Sequence, residues 1–168
     1  MKRLILLRHA KSSWEDNSLA DSERPLAERG LRDAPNMAKR LAQRGVRPDV
    51  FITSPARRAR HTAELVAAGI GSHAAEIRID PRVYLASPGE LLGIVSSLDD
   101  SWQEVVLVGH NPGFTQVANM MLPTLRLANL PTAGVVAIHC DTGHWRDISS
   151  SSPGLVFYDY PKNPEAAR

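Results

Sequence analysis

Cysteine is almost missing from this chain of 168 residues. Cys140 is the only one, which excludes an intramolecular disulfide framework and any site built from several thiolates. Excess charge is also missing, because 20 Lys and Arg oppose 18 Asp and Glu for a formal +2. Trp, Tyr and Phe number three each and are scattered, so no basic surface interleaved with aromatics is on offer to nucleic acid. The longest apolar stretches, residues 4–7 and 105–108, are far too short to span a bilayer, and Met1-Lys2-Arg3 leads into only four apolar residues. No anchor, export signal, membrane partner or nucleic-acid partner is expected, and a cytoplasmic location is the simplest expectation. There is no His-Glu-x-x-His, no cysteine cluster and no carboxylate beside His9 or His110, so no metal and no other cofactor is expected. With 43% hydrophobic and 23% charged residues, the chain fits one globular domain over 1–160, followed by a flexible tail at 161–168.

Residues 3–8, 49–53 and 104–108 form brief, nearly continuous apolar runs, as expected of strands covered on both faces. Between them, apolar residues return at helical spacing: Leu31, Ala34, Met37, Ala38 and Leu41; Ala59, Ala63 and Val66; Leu91, Val95 and Leu98. This alternation predicts a three-layer α/β/α sandwich around a mixed, mostly parallel sheet. Residues 134–140 and 145–148 flank Asp141-Thr142-Gly143-His144 and read as a hairpin at an antiparallel edge. Ser54-Pro55, Ser87-Pro88-Gly89-Glu90 and Asn111-Pro112 each read as a cap followed by proline at a helix start. Pro35 predicts a kink, or a restart capped by Asp33.

The first strand ends in Arg8-His9 and the strand at 104–108 runs into Gly109-His110. In an open α/β sheet the carboxyl ends of strands line the ligand crevice, so the two histidines are expected above one rim. The strand at 49–53 delivers Ser54-Pro55-Ala56-Arg57-Arg58 to the same end. Helix starts there add free backbone donors and partial positive charge. Such a rim suits a tetrahedral dianion, since guanidinium forks donate paired hydrogen bonds to phosphate oxygens. Neighbouring positive charge is expected to lower the His9 pKa, leaving a neutral imidazole free to attack phosphorus.

The chain resembles the histidine phosphatase (phosphoglycerate mutase-like) superfamily, and within it the small SixA-type phosphohistidine phosphatases. The matching residues are Leu7-Arg8-His9-Ala10-Lys11-Ser12; Arg24-Pro25-Leu26 with Glu28-Arg29-Gly30; Ser54-Pro55-Ala56-Arg57-Arg58-Ala59 with Thr62-Ala63; and Val108-Gly109-His110-Asn111-Pro112-Gly113. A weaker match covers residues 85–92. The resemblance implies a metal-free phosphatase that carries a phosphoryl group transiently on His9. It assigns Arg8, Arg58 and His110 to the catalytic phosphate pocket, Arg24 and Asn111 to further phosphate contacts, and Lys11 and Ser12 to substrate or supporting contacts. Arg58 fits the pattern better than Arg57.

Larger relatives carry a glutamate that protonates the leaving oxygen, and none is placed here. Glu90 belongs to a capping box, Asp80 is distant, and Glu15, Asp16 and Asp21 sit in loops whose path the sequence does not give. A phosphohistidine protonated on its ring leaves as neutral imidazole and needs such an acid less than an alkyl ester does. The sequence also lacks a long insertion able to form a lid, which suits a side chain displayed on another protein. The expected substrate is therefore phosphohistidine on a protein such as a phosphotransfer domain, met by a monomer. Small phosphomonoesters are the alternative with the same chemistry, and a non-catalytic phosphoprotein-binding module is the alternative of another class. His61, which stands where relatives often have glutamine, and His73, His139 and His144 are not expected to be catalytic.

Overall fold

A computed structural model describes residues 1–71 and 75–167. His73, set aside above as non-catalytic, and Arg168, the end of the expected tail, lie outside the described residues. The strands are β1 (Lys2–Arg8), β2 (Val50–Thr53), β3 (Glu76–Ile79), β4 (Glu104–Gly109), β5 (Val135–Cys140) and β6 (Gly154–Asp159). The helices are α1 (Glu28–Gln43), α2 (Arg57–Ile70), α3 (Pro88–Ser96) and α4 (Gly113–Met121). The sheet order is β3-β2-β4-β1-β5-β6. β3, β2, β4 and β1 run parallel, while β5 is antiparallel to both β1 and β6. The chain is thus the expected three-layer α/β/α sandwich with a mixed sheet.

Burial on both faces explains the unbroken apolar runs. Along β1, Leu4 and Leu6 pack with α3, α4 and Trp145, whereas Ile5 and Leu7 pack with α1 and α2. Successive strand side chains point to opposite faces, so each central strand serves both cores and has no polar side to spare. No helix among the described residues is long and apolar enough to cross a membrane.

Several local expectations need correction. The partner of β5 in the antiparallel edge is β6, not residues 145–148. Trp145 and Ile148 are fully buried on a short 3-10 turn, Trp145–Ser150, whose spacing of three places both against the core. The Asp100 carboxylate accepts from the Trp145 N–H and starts that turn. Pro35 neither stops nor restarts α1, which is continuous through it. Leu31, whose carbonyl loses the bond that a non-proline residue would donate, is exposed and not on the buried face. Gly30 takes its place in the core-facing row with Ala34, Met37, Ala38 and Leu41. A side chain at Gly30 would overlap the Lys11 carbonyl, so this glycine lets α1 lie directly on the segment after β1. Helix α2 begins at Arg57 rather than Pro55, because Ser54 turns its hydroxyl to the Ala56 N–H instead of capping the helix. Ser87 does cap α3, accepting from the Glu90 N–H at 3.2 Å. Asn111 accepts from the Thr115 N–H and hydroxyl, with α4 starting at Gly113.

Beyond position 160, the Arg40 guanidinium donates to the Pro161 carbonyl at 3.0 Å and a single turn occupies Pro164–Ala167.

Candidate active site

The rim is assembled by strand register. Arg8 of β1 stands opposite Gly109 of β4, and Thr53 of β2 opposite Val108, so the three strands stop at one level. The next backbone groups knit the exits together: the His9 N–H donates to the Gly109 carbonyl and the Ser54 N–H to the Val108 carbonyl, both at 3.0 Å. His9, Ser54 and His110 therefore emerge side by side. Arg58 arrives on the first turn of α2, and Thr62, one turn later, accepts from the Ala10 N–H and ties that helix to the chain after His9. Arg24 is brought over the pocket because residues 11–13 pair with 25–27: Ser13 N–H donates to the Pro25 carbonyl and Ala27 N–H to the Lys11 carbonyl.

His9 and His110 are buried, with ring centroids 5.2 Å apart. Nδ1 of His9 lies 2.8 Å from the Ala10 carbonyl. A carbonyl only accepts, so Nδ1 carries the proton and Nε2 is left as a free lone pair. Arg58 Nη2 lies 3.4 Å from Nδ1 of His110, and Nε2 of that ring lies 2.7 Å from the Ser54 hydroxyl. Because a guanidinium only donates, Nδ1 accepts and Nε2–H donates to Ser54. Burial first, then the charges of His110, Arg58 and Arg8, takes the His9 imidazole down to about 3, against the opposing bond to the Ala10 carbonyl. Burial, followed by Arg58, takes His110 down to about 4. Both rings are neutral at pH 7, as the sequence leads one to expect for His9, though desolvation outweighs charge as the cause.

Two of the guanidiniums, those of Arg58 and Arg24, converge on one acid. Arg58 donates from Nη1 to the Asp21 carbonyl at 2.7 Å and from Nη2 to Asp21 Oδ2 at 3.0 Å. Arg24 donates from Nη1 to Asp21 Oδ1 at 3.2 Å and from Nη2 to the Ser12 hydroxyl at 2.6 Å. The Tyr84 hydroxyl also donates to Asp21 Oδ2, and its ring meets His110 edge-on at 5.4 Å. The Tyr84 and Arg58 hydrogen bonds hold the Asp21 carboxyl down to about 2. An internal carboxylate thus takes up donors that an oxyanion would use. Arg8 donates to the Leu130 carbonyl at 2.9 Å, and burial together with Arg58 lowers its pKa.

Of the residues singled out from sequence, Arg8, His9, Ser12, Arg24, Arg58 and His110 come together. Asn111 stands behind the pocket, donating to Asn129 and Leu130 and holding α4. Lys11 faces a neighbouring cleft. Arg57 is exposed and turns away with Arg60 and His61 toward Glu23 and Glu64. Glu15 and Asp16 are exposed, Asp80 pairs with Arg82, and only Asp21 of the acidic loop residues reaches the pocket. His139 lies on β5 and His144 pairs with Asp100. Tyr84 and the Ser54–His110 bond were not foreseen. The signal for Tyr84 was its place just after the chain leaves β3 at the same sheet edge.

The model of the histidine phosphatase superfamily (branch 1) matches residues 4–105. An uncharacterized chloroplastic protein of Arabidopsis thaliana is 36% identical over 162 residues, covering 91% of this chain and 73% of that protein. An uncharacterized protein of Mycobacterium tuberculosis is 31% identical over 165 residues, covering 93% of this chain and 100% of that one. Among solved structures, one from Agrobacterium tumefaciens, assigned as a phosphohistidine phosphatase SixA, superposes with a TM-score of 0.81 at 27% identity, covering 95% of this chain and 98% of that one.

Proposed function

The chain belongs to the histidine phosphatase superfamily and is a phosphatase, and from that premise we propose that it hydrolyses phosphohistidine displayed on a protein, through a phosphoryl group carried on His9. The observation that carries this reading is the state of His9: a neutral ring with Nε2 free, beside Arg8, Arg58 and His110. Nε2 attacks phosphorus as the bond from phosphorus to the substrate imidazole breaks, and the electron pair of that bond stays on the leaving nitrogen of a ring already protonated on its other nitrogen, so that neutral imidazole departs. Arg8, Arg58 and Arg24 bind the equatorial oxygens, where fixed donors stabilise the charge of the transferring group. The phosphorylated His9 ring is cationic, and its Nδ1–H to the Ala10 carbonyl stabilises that charge. Water then attacks phosphorus, the Nε2–P bond breaks, and orthophosphate leaves with the His9 lone pair restored.

The choice of phosphohistidine over alkyl esters is supported by the acids at hand. Asp21 is held ionised and has no proton to give at neutral pH. Tyr84 donates to that carboxylate, which raises its pKa and makes it a poor acid. A phosphohistidine protonated on its ring carries its own proton and leaves as neutral imidazole, whereas an alkoxide must be given one. The deciding experiment incubates the protein with a histidine-phosphorylated protein and with a panel of phosphomonoesters, and quenches for acid-labile phosphate. Faster hydrolysis of the phosphoprotein and label on His9 are expected. Faster ester turnover would overturn the substrate, and no label on His9 would overturn the route.

A further inference from the structure

Beside the proposed phosphoryl pocket lies a cleft of about 390 Å³ that the chemistry at His9 does not use. Its walls carry Arg8, Lys11, Arg29 and Lys162, against one carboxylate, Asp33. That carboxylate is committed, standing 3.7 Å from Arg29 Nε. Among the described residues, neither Lys11 nor Lys162 has a carboxylate within ion-pair range. One donor in these walls, Nε of Arg8, is buried with neither a hydrogen-bond partner nor a carboxylate beside it, whereas Nε of Arg29 faces Asp33. A buried donor left unpaired is costly, and this one, on a cleft with two ammonium groups that lack a carboxylate, points to an anion. Arg29 is held in place by its Nη2 bond to Thr132 at 3.3 Å, so part of this site is preformed.

The cleft adjoins the phosphoryl pocket. Arg8 and Lys11 lie within two residues of His9 in the chain, and Arg8, whose charge acts on the His9 ring, also forms a wall of the cleft. A substrate group that leaves the pocket on the Arg8 side is therefore directed toward the cleft.

We infer that this cleft is a subsite for a second anionic group, a carboxylate or phosphate, borne by the substrate next to its phosphoryl group. The inference rests on the reading of His9 as the phosphoryl acceptor. The anion is an acidic side chain flanking the phosphohistidine on a protein, or a second charged group on a small phosphoester, and the two sources are separable.

The test takes the full chain and two substrate pairs: histidine-phosphorylated peptides flanked by Glu or by Gln, and 4-carboxyphenyl phosphate against phenyl phosphate. The charged member is expected to be favoured about tenfold in kcat/KM, a preference that weakens with added salt. The double variant Arg29→Gln, Lys162→Gln is expected to lose the preference and to keep its rate on phenyl phosphate. A preference within the peptide pair assigns the anion to a protein. One confined to the esters keeps the subsite and overturns the phosphoprotein reading. Turnover without preference, or a preference that survives the double variant, overturns the subsite and leaves the phosphatase reading standing. Should the double variant not fold, Lys162→Glu at its exposed position is expected to weaken the preference, and an unchanged ratio there overturns the subsite equally. If none of the four compounds is turned over, the proposed function fails. Calorimetry with 4-carboxyphenylphosphonate against phenylphosphonate then judges the cleft alone, and equal affinities overturn it.

Discussion

Replacing Asp21 by Asn is expected to tighten oxyanion binding, the reverse of what removing a pocket residue ordinarily does. The Asp21 carboxylate holds Arg58 Nη2 at 3.0 Å and Arg24 Nη1 at 3.2 Å, so an incoming phosphate must displace it. The side chain of Asp21 is 45% exposed, and an ion pair so open to water is worth about 1 kcal/mol or less. A carboxylate left at the rim also repels a bound dianion by on the order of 1 kcal/mol at an effective dielectric near that of water. Together these amount to ~2 kcal/mol, or roughly thirtyfold in affinity. Asn keeps the shape but only one acceptor oxygen, so either Tyr84, which donates to Oδ2, or Arg24, which donates to Oδ1, keeps its partner. Isothermal titration with tungstate or orthovanadate at pH 7.5 measures the effect. Asp16→Asn, at an exposed aspartate that binds only Ser18 among the described residues, is the control and should change nothing. An oxyanion affinity that is unchanged or weaker in Asp21→Asn would mean that the carboxylate organises the arginines for the ligand instead of competing with it, and the reasoning fails.

Arg58→Ala is expected to lower kcat by a hundredfold to a thousandfold, the typical loss for one fixed donor on developing charge, with little change in the urea midpoint. His9→Ala should still bind tungstate but show no acid-labile phosphate after exposure to substrate, and label in that variant would remove His9 from the route. The unfolded chain protonates its histidines near 6.5, while folded His9 and His110 resist until about 3 and about 4. The unfolded state therefore binds more protons as pH falls through that window, and stability drops, by ~2 kcal/mol for each ring between pH 6.5 and pH 5. Urea midpoints across that range test this, and nitrogen NMR should find both rings still neutral at pH 5; a ring titrating near 6.5 contradicts the assignment. Gly30→Ala should destabilise by about 1–3 kcal/mol in urea, as overpacking does, because its methyl group meets the Lys11 backbone.

How much of this was legible follows from where each residue lies. β1, β2 and β4 are covered on both faces, so their sequences are apolar without interruption and read directly as strands. Because they run parallel, the residues after them meet at one rim, which is why Arg8, His9, Arg58 and His110 converge as their positions imply. The edges were harder. β3 is mostly exposed and carries Glu76 and Arg78, so no apolar run marks it. In β6, Leu155 and Val156 are both exposed next to a register shift at Ala137 and Ile138, and a bulge of that kind breaks the alternation a strand otherwise shows. Asp21 could not be told from Glu15 or Asp16, because its role depends on a short turn, Asp21–Glu23, and on the pairing of residues 11–13 with 25–27. Those are contacts between distant stretches, and no local propensity encodes them.

The level at which the three parallel strands stop has a bearing on how the protein loses activity. Each strand that reaches the rim is inserted between two cores, and a shift of one residue along any of them would move every side chain from one core into the other, among neighbours it does not fit. A damaged sheet therefore has no gently misaligned arrangement to fall into. Substitutions deep in the layers should reduce how many molecules are competent, while each survivor works at full speed, so titrating the sites and measuring the rate per site would give different answers for core lesions and for lesions at the mouth.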